Sequence, residues 1–158
     1  MDLSSVNSAL RRVPSWLIYI CGLAPAVWLF WLGLTGGLGV EPIKVWGGES
    51  ELLLMLRDDM TQHHGFAHGA IVGLMADNAC AWAAASSVGD VVTGSYTINF
   101  LAPAIGTRLR SKGTVIKAGK RQVIVRADVW TEDDDGAQKL VACAQGTIVP
   151  TGQVEQKR

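Results

Sequence analysis

The chain has 158 residues, 49% of them apolar, and its 14 basic side chains balance 14 acidic ones. That length suits one domain with a sizeable core, and zero formal charge gives no electrostatic reason to expect nucleic acid or another strongly charged partner. The three cysteines, Cys21, Cys80 and Cys143, have neither metal-knuckle nor disulfide-framework spacing and read as buried reduced thiols.

Met1 to Arg12 is polar and ends in Arg11-Arg12. Trp16 to Leu34 is an uncharged run rich in Trp and interrupted by Pro25. As a helix it would reach roughly 28 Å, close to a bilayer core. Gly36-Gly37-Leu38-Gly39 then breaks the pattern. Arg11-Arg12 ahead of the run favours a cytoplasmic N-terminus, and hence an exported remainder if the run spans.

Beyond Gly39 the pattern is one helix among strands. Val40 to Trp46 and Glu51 to Leu56 read as strands around a Gly47-Gly48 turn. Gly69 to Ser86 reads as a helix, with Ile71, Leu74, Met75, Asn78 and Trp82 on one face and Asp77 off that stripe. Val91 to Leu101, Arg108 to Ile116, Gln122 to Thr131 and Lys139 to Val149 read as four more strands. Val123, Val125, Ala127 and Val129 alternate with Ile124, Arg126, Asp128 and Trp130, as in a half-buried antiparallel strand. Ala118-Gly119-Lys120 and Asp133 to Gly136 supply hairpin turns. One long helix against an antiparallel sheet predicts an α+β fold.

The chemistry concentrates in Gln62-His63-His64-Gly65-Phe66-Ala67-His68-Gly69-Ala70 and in Asp77. Gly69 falls in the first helical turn, where its N–H has no intrahelical partner. Lacking a β-carbon, it lets a carbonyl approach closely, and such a donor stabilises an oxyanion by roughly 3–4 kcal/mol. Asp77 is a candidate nucleophile or general base toward water. The bland readings are that Asp77 bonds a loop, that His68 is a cap, and that His63 and His64 are exposed loop residues. The three histidines lack a convincing ligand geometry, so no metal site is expected. Eight helical residues span about 12 Å, so Gly69 and Asp77 of one chain cannot both touch one carbonyl. If both act on it, they come from different copies across a two-fold axis, which predicts a homodimer.

At these residues the chain resembles the hotdog-fold thioesterases of the PaaI-like branch. The likeness runs from about Gly39 to Pro150. It rests on residues 62–69, Ala76-Asp77-Asn78-Ala79, Ile98-Asn99-Phe100-Leu101-Ala102-Pro103-Ala104 and the Gly113 to Arg121 hairpin. The resemblance implies a sheet wrapped around one long central helix; the Trp16 to Leu34 run adds the expectation of an N-terminal hydrophobic helix. It implies Asp77 as the catalytic acid, Gly69 as oxyanion donor and Gln62 positioning water or thioester. It also implies Thr93 near the attacking water and His68 shaping the loop. Ala70 replaces the usual second glycine. The implied substrate is an acyl-CoA, hydrolysed to free acid and CoA without a cofactor. His64 and Ala70 are candidate substrate contacts, and Lys117, Lys120 and Arg121 are candidate partners of the CoA phosphates. Trp82 is expected in the core, with an acyl-pocket wall as the other reading.

The first 46 residues instead resemble the start of the MsrQ-type haem-binding membrane subunit, through Arg11 to Trp16, Pro25 to Leu29 and Gly36 to Lys44. The further histidine-bearing membrane helices of that family are absent from the sequence, so haem is not expected. The expected division is a hydrophobic segment at 1–38, a hotdog domain at 39–150 and a polar tail at 151–158. The expected product is a homodimer or tetramer in the cytoplasm, with membrane contact at the inner face through Trp16 to Leu34. Two rival functions remain: a non-catalytic acyl-CoA-binding module, and a truncated membrane subunit fused to a hotdog domain. Hydratase chemistry fits the strand context less well.

Overall fold

The computed structural model describes residues 36–151. The Trp16 to Leu34 run and all but the first residue of the expected tail lie outside the described residues. A helical turn at Gly36–Leu38 leads into strands β1 (Glu41–Trp46) and β2 (Glu49–Met55) and a 3-10 turn at Asp58–Met60. Helix α1 (Gly69–Val88) follows, then β3 (Val91–Phe100), β4 (Arg108–Ala118), β5 (Val123–Glu132) and β6 (Gln138–Pro150). The strands form one antiparallel sheet in the order β1-β2-β4-β5-β6-β3. After α1 the chain therefore crosses to the far edge of the sheet before filling its middle.

The alternation expected in β5 holds. Val123, Val125, Ala127 and Val129 have no exposed surface and face α1, while Arg126 is exposed on the other side. The helix differs from the expected single apolar stripe. Ala76, Ala79, Cys80, Ala83 and Ala84 are as deeply buried as Met75, whereas Ile71 and Leu74 are only half-buried. Small side chains make this possible, because the sheet closes directly onto the helix backbone. A β-carbon on Gly113 of β4 would lie 2.2 Å from the Ala79 carbonyl oxygen. Ser50 Oγ donates to that same oxygen at 2.7 Å, which ties β2 to the helix.

Gly89, at φ +86, ends α1 and donates its N–H to the Ala85 carbonyl. Just before it, Ser86 Oγ accepts from Gly48 N–H at 2.9 Å and pins the β1–β2 turn to the helix end. Among the described residues α1 is the one helix long and apolar enough to cross a membrane, and it lies mostly buried as the core of the domain.

Among the described residues, the outer face of the sheet carries charge and no second layer. Arg110 bonds Glu132 at 2.8 Å and also pairs with Glu51. Arg108 Nε lies 2.9 Å from the other Glu132 oxygen, at an angle that makes an ion pair rather than a hydrogen bond. Gln138 donates to Glu132 at 2.9 Å. Hydrogen bonds from Arg110 and Gln138 hold the Glu132 carboxyl down to about 2.

Candidate active site

The site begins at a tight turn. Gln62 N–H bonds the Phe66 carbonyl at 2.9 Å, and Gly65, at φ +78, donates to the Gln62 carbonyl at 2.8 Å. Thr61 and Ala67 pair across this turn. His63 and His64 are exposed on it, and the His64 ring stacks on Phe66. Ala67 N–H bonds the Ala104 carbonyl and His68 N–H bonds the Met60 carbonyl, which anchors the chain as it enters α1.

His68 is the N-cap of α1. Its Nδ1 accepts from Ala70 N–H at 3.0 Å, and its carbonyl accepts from both Ile71 and Val72. Accepting at Nδ1 puts the proton of the neutral ring on Nε2. The bond from Val72 is the first intrahelical one; with Ala70 and Ile71 bonded to His68, and the His68 N–H on Met60, three of the four N–H groups that a helix start leaves open are satisfied. The fourth belongs to Gly69, which has no partner among the described residues. The first turn of α1 therefore presents a single free donor. Ala70 has its N–H occupied and offers only a small exposed side chain.

Asp77 lies two turns further along α1, half-buried. Thr93 of β3 donates its hydroxyl to Asp77 Oδ1 at 2.8 Å. A bulge between Thr93 and Ser95 breaks the strand's alternation at Gly94. Because of that extra residue, Thr93 and Tyr96 both face the helix. The Tyr96 hydroxyl would lie 3.2 Å from a β-carbon on Gly73, and the Phe100 ring 3.5 Å from one on Gly69. Strand β3 thus runs beside the open face of α1, with Phe100 at Gly69, Tyr96 at Gly73 and Thr93 at Asp77.

A cleft of about 530 Å³ opens beside Asp77 and Thr93 and runs along Ala81, Trp82, Ala85 and Val91. Trp82, only 7% exposed, belongs to the core and also lines the cleft. Cys80 sits behind Asp77, where burial and then the Asp77 charge push its thiol up to about 12. It is no nucleophile at neutral pH. Among the described residues no group of three or more His, Cys, Asp or Glu could hold a metal ion.

The structure brings Asp77 and Thr93 together and places Gln62, His64, His68 and Gly69 at one helix end. It keeps Gly69 and Asp77 eight residues apart on a continuous helix, about 12 Å. Lys117, Lys120 and Arg121 are exposed around the β4–β5 hairpin, at the other end of α1. Val115 of that hairpin bonds Gly48, which in turn bonds Ser86 near the helix terminus. Tyr96 and Val91 were not singled out by sequence, and Phe100 entered only within the Ile98 to Ala104 stretch, without a role. The signal that could have found them is Gly94, since a glycine inside a strand pattern marks a bulge.

A thioesterase superfamily model matches residues 64–138. A thioesterase family protein from Silicibacter pomeroyi superposes with a TM-score of 0.71 at 30% identity, over 74% of this chain and 88% of that one. The chain belongs to the thioesterase superfamily. This thioesterase-superfamily domain has the hotdog fold. A conserved protein from Pseudomonas aeruginosa matches it with a TM-score of 0.67 at 28% identity, over 74% and 92% of the two chains. The PaaI protein of the Escherichia coli phenylacetic acid degradation operon has the same fold, with a TM-score of 0.67 at 24% identity, over 75% and 83%. Separately, a short N-terminal stretch is 59% identical over 29 residues to the haem-binding subunit MsrQ of the Brucella ovis protein-methionine-sulfoxide reductase. That match covers 18% of this chain and only 13% of the MsrQ subunit's length.

Proposed function

We propose that this thioesterase-superfamily chain hydrolyses an acyl-CoA to free acid and CoA, at a site completed by a second copy. The observation that carries the reading is the Asp77–Thr93 hydrogen bond at the mouth of the cleft, with one free N–H at Gly69. Thr93 fixes one carboxylate oxygen and leaves the other to take a proton from water. That water attacks the thioester carbonyl carbon, and the oxygen gains negative charge. An unoccupied N–H at a helix start is suited to stabilise it. The intermediate then collapses, the C–S bond breaks, and the CoA thiolate leaves and takes up a proton. Gln62 is proposed to position the water or thioester. His64 and the hairpin cations Lys117, Lys120 and Arg121 are proposed contacts of the CoA portion, at the phosphates for the three cations.

The need for two copies follows from the 12 Å separation, and the edge of the sheet supports it. Strand β3 is a ten-residue edge with Val92, Tyr96 and Phe100 exposed. A long edge bearing apolar side chains is a template for pairing. Thr93 and Asp77 mark one end of it, Phe100 and Gly69 the other. Two β3 edges paired antiparallel would set the Thr93 end of one copy against the Phe100 end of the other. Each Asp77 would then face the second copy's Gly69, giving two equivalent sites.

We further propose that residues 39–150 are the catalytic domain, acting in the cytoplasm where acyl-CoA is found. Residues 1–38 would be a separate hydrophobic segment contacting the inner face of the membrane. The direct test is CoA release from a panel of acyl-CoAs by the purified chain and by Asp77→Asn. The expected loss in kcat is about 10²–10⁴-fold with unchanged melting temperature. Equal activity in the two proteins would remove Asp77 from the reaction.

A further inference from the structure

We infer that the cleft running from Asp77 along α1 holds the acyl group, and that Ala81 and Ala85 set how long an acyl group is accepted. This inference rests on the thioesterase reading of the Asp77 site. Asp77, Ala81 and Ala85 are four residues apart in turn, so they line one face of the helix for about 12 Å. The volume of about 530 Å³ falls among small-molecule sites. One end is polar, where Thr93 bonds Asp77, and suits the thioester group. The stretch beyond it is apolar, between Trp82 and Val91, and suits hydrocarbon rather than the amide-bearing arm of CoA.

The two alanines differ from their neighbours. Ala83 and Ala84 are fully buried in the core and do not border the cleft. Ala81 is half-buried and, with Ala85, borders the cleft, where a larger side chain would fill the space instead. Asp90 and Thr151 also line the cleft, at the end where α1 finishes and β3 begins. A second carboxylate there disfavours acyl groups ending in a carboxylate. The substrate class is therefore an uncharged acyl group.

The experiment measures kcat/KM for acetyl-, hexanoyl-, dodecanoyl- and glutaryl-CoA with the full chain and with Ala85→Leu. Ala81→Val serves as the second variant if Ala85→Leu melts early. The expected result is a fall of about tenfold or more in the ratio of hexanoyl to acetyl turnover, with glutaryl-CoA the poorest substrate for its length in both proteins. An unchanged ratio overturns the inference. So does an equal fall for every acyl group, the result expected if the cleft held the CoA arm they share. Calorimetry of the same compounds on Asp77→Asn, with and without Ala85→Leu, gives a readout independent of turnover. Affinity that rises with acyl length only while Ala85 is present supports the inference; affinity blind to length overturns it. If the unaltered chain releases no CoA at all, the thioesterase reading fails, and the calorimetry alone decides what the cleft holds.

Discussion

In the proposed reaction Thr93 acts through one hydroxyl. From β3 it donates to Asp77 Oδ1, and Asp77 and Thr93 both line the cleft. Thr93→Val keeps the branched shape and removes that bond. The expected outcome is a loss of about tenfold or more in kcat with little change in KM, since the carboxylate is held less well while the binding walls stay intact. A rise in KM alone, measured by the same CoA-release assay, would make Thr93 a binding residue instead. Asp77 and Gly69 stand out in the sequence as candidates because their signal is local: a glycine at a helix start, and one acid on an otherwise apolar helix. His68 was legible only as a loop or cap residue. That its ring and carbonyl hold the Ala70 and Ile71 N–H groups while its own N–H bonds Met60, so isolating Gly69, depends on how the chain enters the helix. No spacing reveals that.

Helix α1 and the sheet meet through small residues, and this makes their packing unforgiving. Gly113 of β4 approaches the Ala79 carbonyl so closely that a β-carbon would lie 2.2 Å from it and 2.7 Å from Ser50 Oγ. The obstacle is helix backbone, which cannot rotate away. Gly113→Ala is therefore expected to destabilise by about 3 kcal/mol or more, read as a large drop in thermal midpoint. A change below about 0.5 kcal/mol would show that the helix can lift off the sheet. The strands and helix themselves were legible, because a period of two and an Ala-rich apolar run are properties of neighbouring residues. Strand order was not. Nothing in Val91 to Phe100 announces that it crosses to the far edge, because pairing is settled by long-range contact with β6. Nor did a count of apolar residues reveal the buried face of α1, since the sheet curls over its alanines and leaves Ile71 and Leu74 partly open. The cleft beside Ala81 and Ala85 is a product of that offset and of the Gly94 bulge.

The assembled molecule adds two dependences that no single element has. Glu132 joins β4, β5 and the start of β6 through Arg110, Arg108 and Gln138, and its carboxyl is lowered from 4.5 to about 2. A carboxyl lowered on folding stabilises the fold above its unfolded value, and that contribution fades as pH falls from about 4.5 toward 2. Melting temperature should therefore drop across that window, and less steeply in Glu132→Gln; parallel pH profiles would contradict the linkage. If the division at residue 39 is right, deleting residues 1–38 should leave full activity and move the protein from the membrane fraction to the soluble one. A chain that no longer folds would place that segment inside the domain. The shared site has the most direct test. Gly69→Pro removes the free N–H yet fits the first helical position, where proline is well accepted, and His68 before it already has the extended backbone proline requires. Asp77→Ala removes the acid and keeps the donor. Each variant alone should be nearly inactive. Unfolded and refolded together in equal amounts, half the dimers pair one of each and hold one intact site. The mixture should regain about a quarter of wild-type CoA release. No recovery from correctly mixed dimers would mean that Gly69 and Asp77 do not meet across two copies.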